Sequence, residues 1–137
     1  TIFLDAAHNP AGARALAGAL SAEFDFRKLV GVVAVLADKD VTGMLEALEP
    51  VFDDIVVTTN GSPRALPIDD LANLAVQRFG DERVVVADTL PDAVETAIAI
   101  AEEVTEPGEA VSGAGVVVTG SVVTAGEARA MFGKDPQ

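Results

Sequence analysis

The sequence has no cysteine and a single histidine, His8. Without cysteine the chain can form neither a disulfide framework nor a thiolate metal site. A zinc ion would have one imidazole and no thiolate to bind it. We therefore predict no metal site within this chain.

Long apolar runs and glycine-rich phosphate loops are missing as well. No stretch approaches the ~20 apolar residues that a membrane helix requires, and no signal-peptide pattern occurs, so we expect no membrane partner and a cytoplasmic location. The sequence contains no G-x-x-x-x-G-K-[ST] motif. Its one glycine cluster, S-G-A-G at 112–115, precedes an apolar run instead of following it, which is the wrong context for a dinucleotide fingerprint.

Cationic residues are scarce. Nine Lys and Arg residues stand against 22 Asp and Glu residues, and the formal net charge is −13. Binding a phosphate backbone requires a cationic face, so we predict no nucleic-acid partner. A small anionic ligand needs only a few local cations or a helix N-terminus, and the overall charge does not exclude one.

The composition predicts one folded domain over residues 1–137. Half of the residues are hydrophobic, which is enough to build a core at this length. The chain begins at Thr1, inside a predicted strand and without an initiator Met. We therefore expect it to be one domain of a longer polypeptide.

Five apolar runs rich in Val and Ile predict β-strands. They are nearly continuous instead of alternating with polar residues, which is typical of strands buried on both faces. The predicted strands are Ile2–Leu4, Leu29–Leu36, Asp54–Thr59, Arg83–Ala87 and Gly115–Thr119.

Each of these runs is followed by residues with a helical period of apolar positions. Three helix starts carry good N-cap residues, namely Asn9 with Pro10 at the first helical position, Asp40 and Ser121. The last helix is predicted over about Val122 to Phe132. Five strands alternating with five helices predict an α/β fold, an open and mostly parallel sheet of about five to six strands with helices on both faces.

Polar side chains follow every predicted strand, at the point where the strand ends. Because the carboxyl ends of parallel strands share one edge of a sheet, these side chains would share one rim, where ligands bind in such folds. Helix capping alone could instead explain Asn9, Asp40 and Ser121, and Asp88 could simply start a helix. The residues are Asp5, His8, Asn9, Asp38, Lys39, Asp40, Asn60, Ser62, Arg64, Asp88 and Ser121.

Three motifs resemble a known enzyme family in their order and spacing. They are L-D-A-A-H-N-P-A-G-A-R at 4–14, V-L-A-D-K-D-V at 35–41 and V-V-V-T-G-S-V-V-T-A-G-E-A-R at 116–129. Together they are similar to the C-terminal domain of folylpolyglutamate synthases, which in bacteria are often bifunctional with dihydrofolate synthase. These enzymes belong to the Mur ligase superfamily of ATP-dependent, amide-bond-forming enzymes.

The resemblance implies a Rossmann-like domain that binds L-glutamate and closes over ATP. The phosphate loop, the magnesium ligands and most of the folate or pteroate site would lie on an N-terminal ATPase domain of the same polypeptide. ATP would phosphorylate a carboxylate of the pteroate or folyl substrate, and the amino group of glutamate would attack the acyl phosphate. The implied cofactors are thus ATP and Mg²⁺, bound mainly by the other domain.

The resemblance also implies roles for residues of the first motif. Asp5 matches an aspartate that hydrogen-bonds the ribose of ATP. His8 matches a histidine at the junction of the ATP and glutamate sites, where an imidazole could donate a hydrogen bond to developing phosphate charge, and we assign it a catalytic role. We assign Asn9, its neighbour in the motif, to the glutamate site.

Further glutamate-site residues are implied by the later motifs. Lys39 resembles a lysine that pairs with a carboxylate of the incoming amino acid, although it could instead form a local surface ion pair with a flanking aspartate. Arg64 corresponds to the arginine of a D-N-P-R loop that holds a substrate carboxylate in a diaminopimelate-adding relative. Ser121 resembles a serine that contacts the amino acid near the last strand.

Two alternatives to a folate ligase stay open at this point. The first is the C-terminal domain of a Mur-type peptidoglycan ligase, against which the H-N-P tripeptide at 8–10 argues. The second is a non-catalytic, flavodoxin-like binding or regulatory domain such as a receiver. A receiver carries a phospho-acceptor Asp after its third strand, where this sequence has Thr58, Thr59 and Asn60.

Overall fold

A computed structural model of the chain describes residues 2–23, 28–102, 114–120 and 122–132. Within these ranges the protein contains five strands, five helices and a 3-10 turn at Asp81–Arg83. The strands are β1 (Ile2–Leu4), β2 (Lys28–Val33), β3 (Asp54–Val57), β4 (Val84–Val86) and β5 (Ala114–Thr119). The helices are α1 (Pro10–Glu23), α2 (Val41–Leu48), α3 (Ile68–Phe79), α4 (Leu90–Glu102) and α5 (Val122–Phe132).

The five strands form one parallel sheet in the order β1-β5-β2-β3-β4. Val32 of β2 lies at its centre, in register with Val56 on one side and Val118 on the other. The predicted α/β fold with an open, parallel sheet is confirmed. The helix predicted over Val122–Phe132 has those same bounds.

Three strands end earlier than the sequence predicts. The continuous apolar run suggested that β2 extends to Leu36, but its ladder stops at Val33. The chain then leaves the sheet, and Leu36 pairs in an antiparallel bridge with Ala65 from the connection after β3. β3 likewise stops at Val57, two residues short of the prediction, and β4 stops at Val86, one residue short. Burial of Ala34, Val35 and Leu36, not extension of the β2 ladder, explains the apolar character of the run after β2.

The helices cover the sheet on both faces, as predicted. Alternate strand residues point to opposite sides, and each side has its own apolar core. One core packs α1, α2 and α3 against Val33, Ile55, Val57 and Val117. The other packs α4 and α5 against Val30, Val32, Val56, Val116 and Val118. Each fully buried side chain of this size contributes about 1.5–3 kcal/mol relative to an exposed one, and the two cores therefore fix the strand ends in place.

Arg83 secures the connection that follows α2. Its guanidinium donates to the backbone oxygens of Glu49 and Phe52 at 2.9 and 2.6 Å and to the Glu49 carboxylate at 2.8 Å. Its Nε donates to the Asp53 carbonyl at 3.1 Å, and the Phe79 ring lies 4.8 Å from its central carbon. Arg83, which the apolar pattern predicts to begin a strand, lies in the 3-10 turn, and its side chain satisfies three carbonyls of the segment that follows α2.

No helix in the described parts of the chain is both long and apolar enough to cross a bilayer.

Candidate functional site

The loops that carry His8 and Lys39 lie next to each other at the carboxyl edge of the sheet. The contact between the first turns of α1 and α2 shows this directly. A Cβ added to Gly43 would lie 2.8 Å from Cγ of Pro10 and 2.7 Å from the Asp40 carboxylate. Pro10 follows His8 by two residues and Asp40 follows Lys39, so the two motifs meet at one point of the rim.

The β1–α1 loop is ordered by its own polar side chains. Asp5 continues the sheet by donating its N–H to the Val118 carbonyl at 2.9 Å, and its Oδ2 accepts the Ala7 N–H at 2.8 Å. Asn9 Oδ1 accepts the Gly12 N–H at 2.7 Å, which confirms the predicted N-cap of α1. The second carboxylate oxygen of Asp5 has no hydrogen-bond partner among the described residues, and neither has the amide nitrogen of Asn9.

His8 is exposed, and its backbone surroundings select a tautomer. Its Nδ1 lies 3.2 Å from the Ala6 carbonyl oxygen. A carbonyl oxygen only accepts, so Nδ1 carries the hydrogen when this bond is made. Nε2 then has a free lone pair when the ring is neutral and becomes a donor when the ring is protonated. The outward nitrogen can therefore take up a proton or donate one.

The β2–α2 loop leaves its lysine without a carboxylate. Asp40 caps α2 by accepting the Gly43 N–H at 3.0 Å, as predicted. Asp38 instead binds Arg64, with 2.6 Å between the guanidinium and its Oδ2. Lys39 is half-buried and forms no ion pair with any residue that the structure describes. The surface ion pair considered as the alternative for Lys39 is thus not formed by these neighbours.

Arg64 also changes the acidity of its partner. The hydrogen bond from its guanidinium, opposed by desolvation and assisted by its charge, lowers the pKa of Asp38 below the usual value. Asp38 therefore stays ionised over a wider pH range than an isolated aspartate.

A buried polar network holds the β3–α3 loop at the same edge. Asn60 Nδ2 donates to the Thr124 hydroxyl at 2.9 Å, and this hydroxyl donates to the Ala34 carbonyl at 2.6 Å. The Asn60 Oδ1 accepts the Ser62 N–H at 2.9 Å, and the Glu127 carboxylate accepts the Gly61 N–H. The loop is therefore tied to both β2 and α5.

Sequence reasoning identified Asn60 and Ser62 at the rim but missed Thr124 and Glu127 on α5. In the described structure the buried polar residues are Thr58, Asn60, Thr119 and Thr124, and all of them lie at the carboxyl edge. The sequence contains one signal for Thr124: it lies four residues before Ala128, so both lie on the buried face of α5, where a polar side chain needs a hydrogen-bond partner. Its partners are 64 and 90 residues away in sequence, which no local pattern reveals.

Two predicted rim residues remain, Ser121 and Asp88. Ser121 lies outside the described residues. Asp88 follows β4, the edge strand farthest from β1, and is exposed. Thr89, and not Asp88, caps α4. The Thr89 hydroxyl accepts the Asp92 N–H at 3.2 Å, and the Thr89 carbonyl accepts the Ala93 N–H at 2.9 Å. A group of three potential metal-ligating side chains does not occur among the described residues.

With this geometry in place, comparison with known proteins identifies the family. Residues 1–122 match the model of the Mur ligase, glutamate ligase domain. The chain belongs to this family. A glutamate ligase domain is what the three motifs indicated, and family membership favours that interpretation over a receiver-like module.

The relatives of this glutamate ligase domain are folate enzymes. It is 59% identical, over its whole length, to 29% of the dihydrofolate synthase/folylpolyglutamate synthase of Mycobacterium tuberculosis. It is 31% identical, over 72% of its length, to 23% of the enzyme of that name from Haemophilus influenzae. The chain thus spans less than a third of the length of these relatives.

Solved structures agree with these matches. The M. tuberculosis folylpolyglutamate synthase complexed with ADP superposes with a TM-score of 0.93 at 58% identity, covering all of this glutamate ligase domain and 31% of that chain. E. coli FolC in complex with DHPP and ADP has a TM-score of 0.77 at 26% identity, covering 96% of this chain and 28% of its own. The resemblance to the folylpolyglutamate synthase C-terminal domain is confirmed.

Proposed function

We propose that this domain is the glutamate-binding lobe of an ATP-dependent ligase that joins L-glutamate to dihydropteroate or to a folate. The observation that carries the proposal is the meeting of the His8 and Lys39 loops at one rim, with the Lys39 ammonium unpaired among the described residues. An unpaired cation in a chain of net charge −13 is suited to receive a carboxylate. The matched relatives named as folate synthases support the choice of substrate class.

The work of this domain in such a ligase is positioning. When bound, ATP supplies the phosphoryl group that activates the substrate carboxylate for attack by the amine. Lys39 and Arg64 would hold carboxylates of the amino acid and so place its amino group toward the reacting carbon. Holding two reactants in attack geometry can lower a barrier by ~7–11 kcal/mol in favourable cases. The short, ordered loops at this rim suit that task because they leave little freedom to be lost on binding.

The β1–α1 loop would face the nucleotide. The unbonded oxygen of Asp5 fits the ribose hydroxyls, which are donors, and we assign it to them. His8 would meet both ligands through Nε2, which donates to phosphate oxygen when protonated. When neutral, Nε2 would accept a proton from the ammonium of glutamate, which leaves the amine that attacks. Asn9 would donate through its amide nitrogen, because its oxygen caps α1. Ser121 stays a prediction for the glutamate site.

The phosphate loop, Mg²⁺ and the folate site would be contributed by a second domain of the same polypeptide. No G-x-x-x-x-G-K-[ST] sequence exists in these 137 residues, and the described residues offer no cluster of metal ligands. We therefore expect the isolated chain to hydrolyse no ATP and to form no glutamyl amide. Product detection by mass spectrometry, with the two-domain ligase as positive control, tests this. Robust glutamylation by the 137-residue chain alone would contradict the assignment of these parts to another domain.

Ligand binding can be measured without turnover. We expect addition of L-glutamate together with Mg-ATP to shift backbone amide signals at 5–9 and 38–40 of the isolated chain. The amide of Lys28 at the opposite edge of the sheet should stay unchanged and is the internal reference. D-glutamate at equal concentration is the matched control for a stereospecific site. Unmoved signals in both loops with both ligands at high concentration would instead favour a domain whose loops only cap helices.

A further inference from the structure

The contact between Asp38 and Arg64 joins two loops whose backbones are already fixed to each other. The Ala37 N–H donates to the Arg64 carbonyl at 2.8 Å, and the Leu66 N–H donates to the Val35 carbonyl at 2.9 Å. The Arg64 N–H in turn donates to the Ser62 hydroxyl at 3.0 Å. Both charged side chains therefore start from ordered backbone, and the guanidinium can change partner without a change in the loops.

The pair itself is easily exchanged. The side chains of Arg64 and Asp38 are 63% and 55% exposed. Ion pairs this exposed to water contribute little to stability, because solvent competes for both charges. A second anion that approaches the guanidinium can replace Asp38 at small cost. The bidentate geometry that a carboxylate offers to a guanidinium makes a free carboxylate a suitable replacement.

The Asp38–Arg64 pair lies beside Lys39, the residue proposed to bind a carboxylate of the amino acid. Asp38 immediately precedes Lys39 in the sequence, and Lys39 has no ion pair among the described residues. Two neighbouring loops thus present one cation, Lys39, that is unpaired among the described residues, and one cation, Arg64, that an internal carboxylate holds. The other arginine pairs of the described structure, Arg78 with Glu46 and Arg83 with Glu49, lie on or beside α2 and α3 and not at this rim.

We propose that Asp38 is an internal competitor for the carboxylate of the incoming amino acid. It holds the Arg64 guanidinium while the site is empty, and a ligand carboxylate displaces it. Asp38 is then a specificity-determining residue, since only a ligand that brings an anionic group to Arg64 can replace it. This inference rests on the proposed function and deepens it, because it concerns the same amino-acid site.

The test uses the polypeptide in which this domain is joined to its ATPase domain. Asp38→Asn keeps the shape of the side chain and removes its charge. We expect the KM for L-glutamate to fall roughly two- to fivefold, the range that corresponds to losing a weak, exposed ion pair, with kcat nearly unchanged. Asp88→Asn is the matched control. It also removes one exposed aspartate charge, but Asp88 follows β4, the edge strand farthest from β1, so KM should stay unchanged.

A double-mutant cycle with Arg64→Gln separates competition from a general charge effect. If Asp38 acts through Arg64, the fall in KM caused by Asp38→Asn disappears in the Arg64→Gln background. A rise in KM in Asp38→Asn alone would overturn the proposal, because it would mean that Asp38 orients the arginine for the ligand. A fall that persists without Arg64 would overturn it as well. Lys39→Ala distinguishes failure of the proposed function from failure of the proposed competition. An unchanged KM for L-glutamate in Lys39→Ala contradicts the proposed function itself. A raised KM in Lys39→Ala, together with no effect of Asp38→Asn, contradicts only the role of Asp38 as a competitor.

Discussion

Replacing His8 or Lys39 with Ala is expected to reduce glutamylation by the two-domain ligase at least about 10-fold at limiting L-glutamate. The two losses should differ in kind. His8→Ala removes a group that handles a proton or donates to phosphate at the reacting centre, so kcat should fall by about 10²- to 10⁴-fold. Lys39→Ala removes a charged hydrogen bond to a carboxylate, worth about 1.5–3 kcal/mol, so KM for glutamate should rise roughly 10- to 100-fold.

Both substitutions should leave the fold intact. His8 is exposed, and its side chain contacts only a backbone oxygen two residues away. Lys39 has no ion pair within the described structure to lose. Lys28→Ala is the matched control: this lysine pairs with Asp54 at 3.1 Å at the opposite edge of the sheet, so its loss should change stability and not KM. Steady-state kinetics and urea unfolding measure the two effects separately. Wild-type turnover in both His8→Ala and Lys39→Ala would remove these residues from the site.

Local features of the site could be predicted from the sequence because their causes are local. Asn9 caps a turn three residues away, and Asp40 does the same for Gly43. The parallel fold with one common rim follows from the alternation of apolar runs and helical periods. Together these two features of the sequence predict that His8 and Lys39 lie at one edge of the sheet.

Distant partners could not be predicted in this way. Arg83 contacts carbonyls 31 and 34 residues earlier, and Thr124 contacts Ala34 across 90 residues. Asp38 pairs with Arg64 and not with its neighbour Lys39. This pairing depends on the β3–α3 loop, which returns to the end of β2 and is distant from it in sequence. The strand order, with β5 inserted between β1 and β2, is also a tertiary property. Each of these depends on which surfaces pack together and not on the period of a segment.

The largest effect on stability is expected from Gly120→Ala, at the turn that links β5 to α5. Gly120 has φ +125°, a conformation that costs a residue with a Cβ of order 1–3 kcal/mol. The added Cβ would overlap the Ala34 carbonyl oxygen, and it would lie 2.9 Å from the Ala34 carbonyl carbon and 3.1 Å from Val35 Cγ1. Overpacking adds typically about 1–3 kcal/mol, so we expect a loss of roughly 3 kcal/mol or more.

The turn cannot relieve this overlap by moving away from β2. The same Ala34 carbonyl accepts the Thr124 hydroxyl, and that hydroxyl accepts from Asn60, so a shift of the turn would strain the bonds that fix the β3–α3 loop. Gly126→Ala on α5 is the matched control, because a Cβ there meets nothing within 4 Å and should stabilise the helix by about 0.5–1 kcal/mol. Urea unfolding of both variants measures the contrast. If Gly120→Ala and the parent were equally stable, the turn would be able to move and make room for the added Cβ. The buried network would then not hold the rim in place.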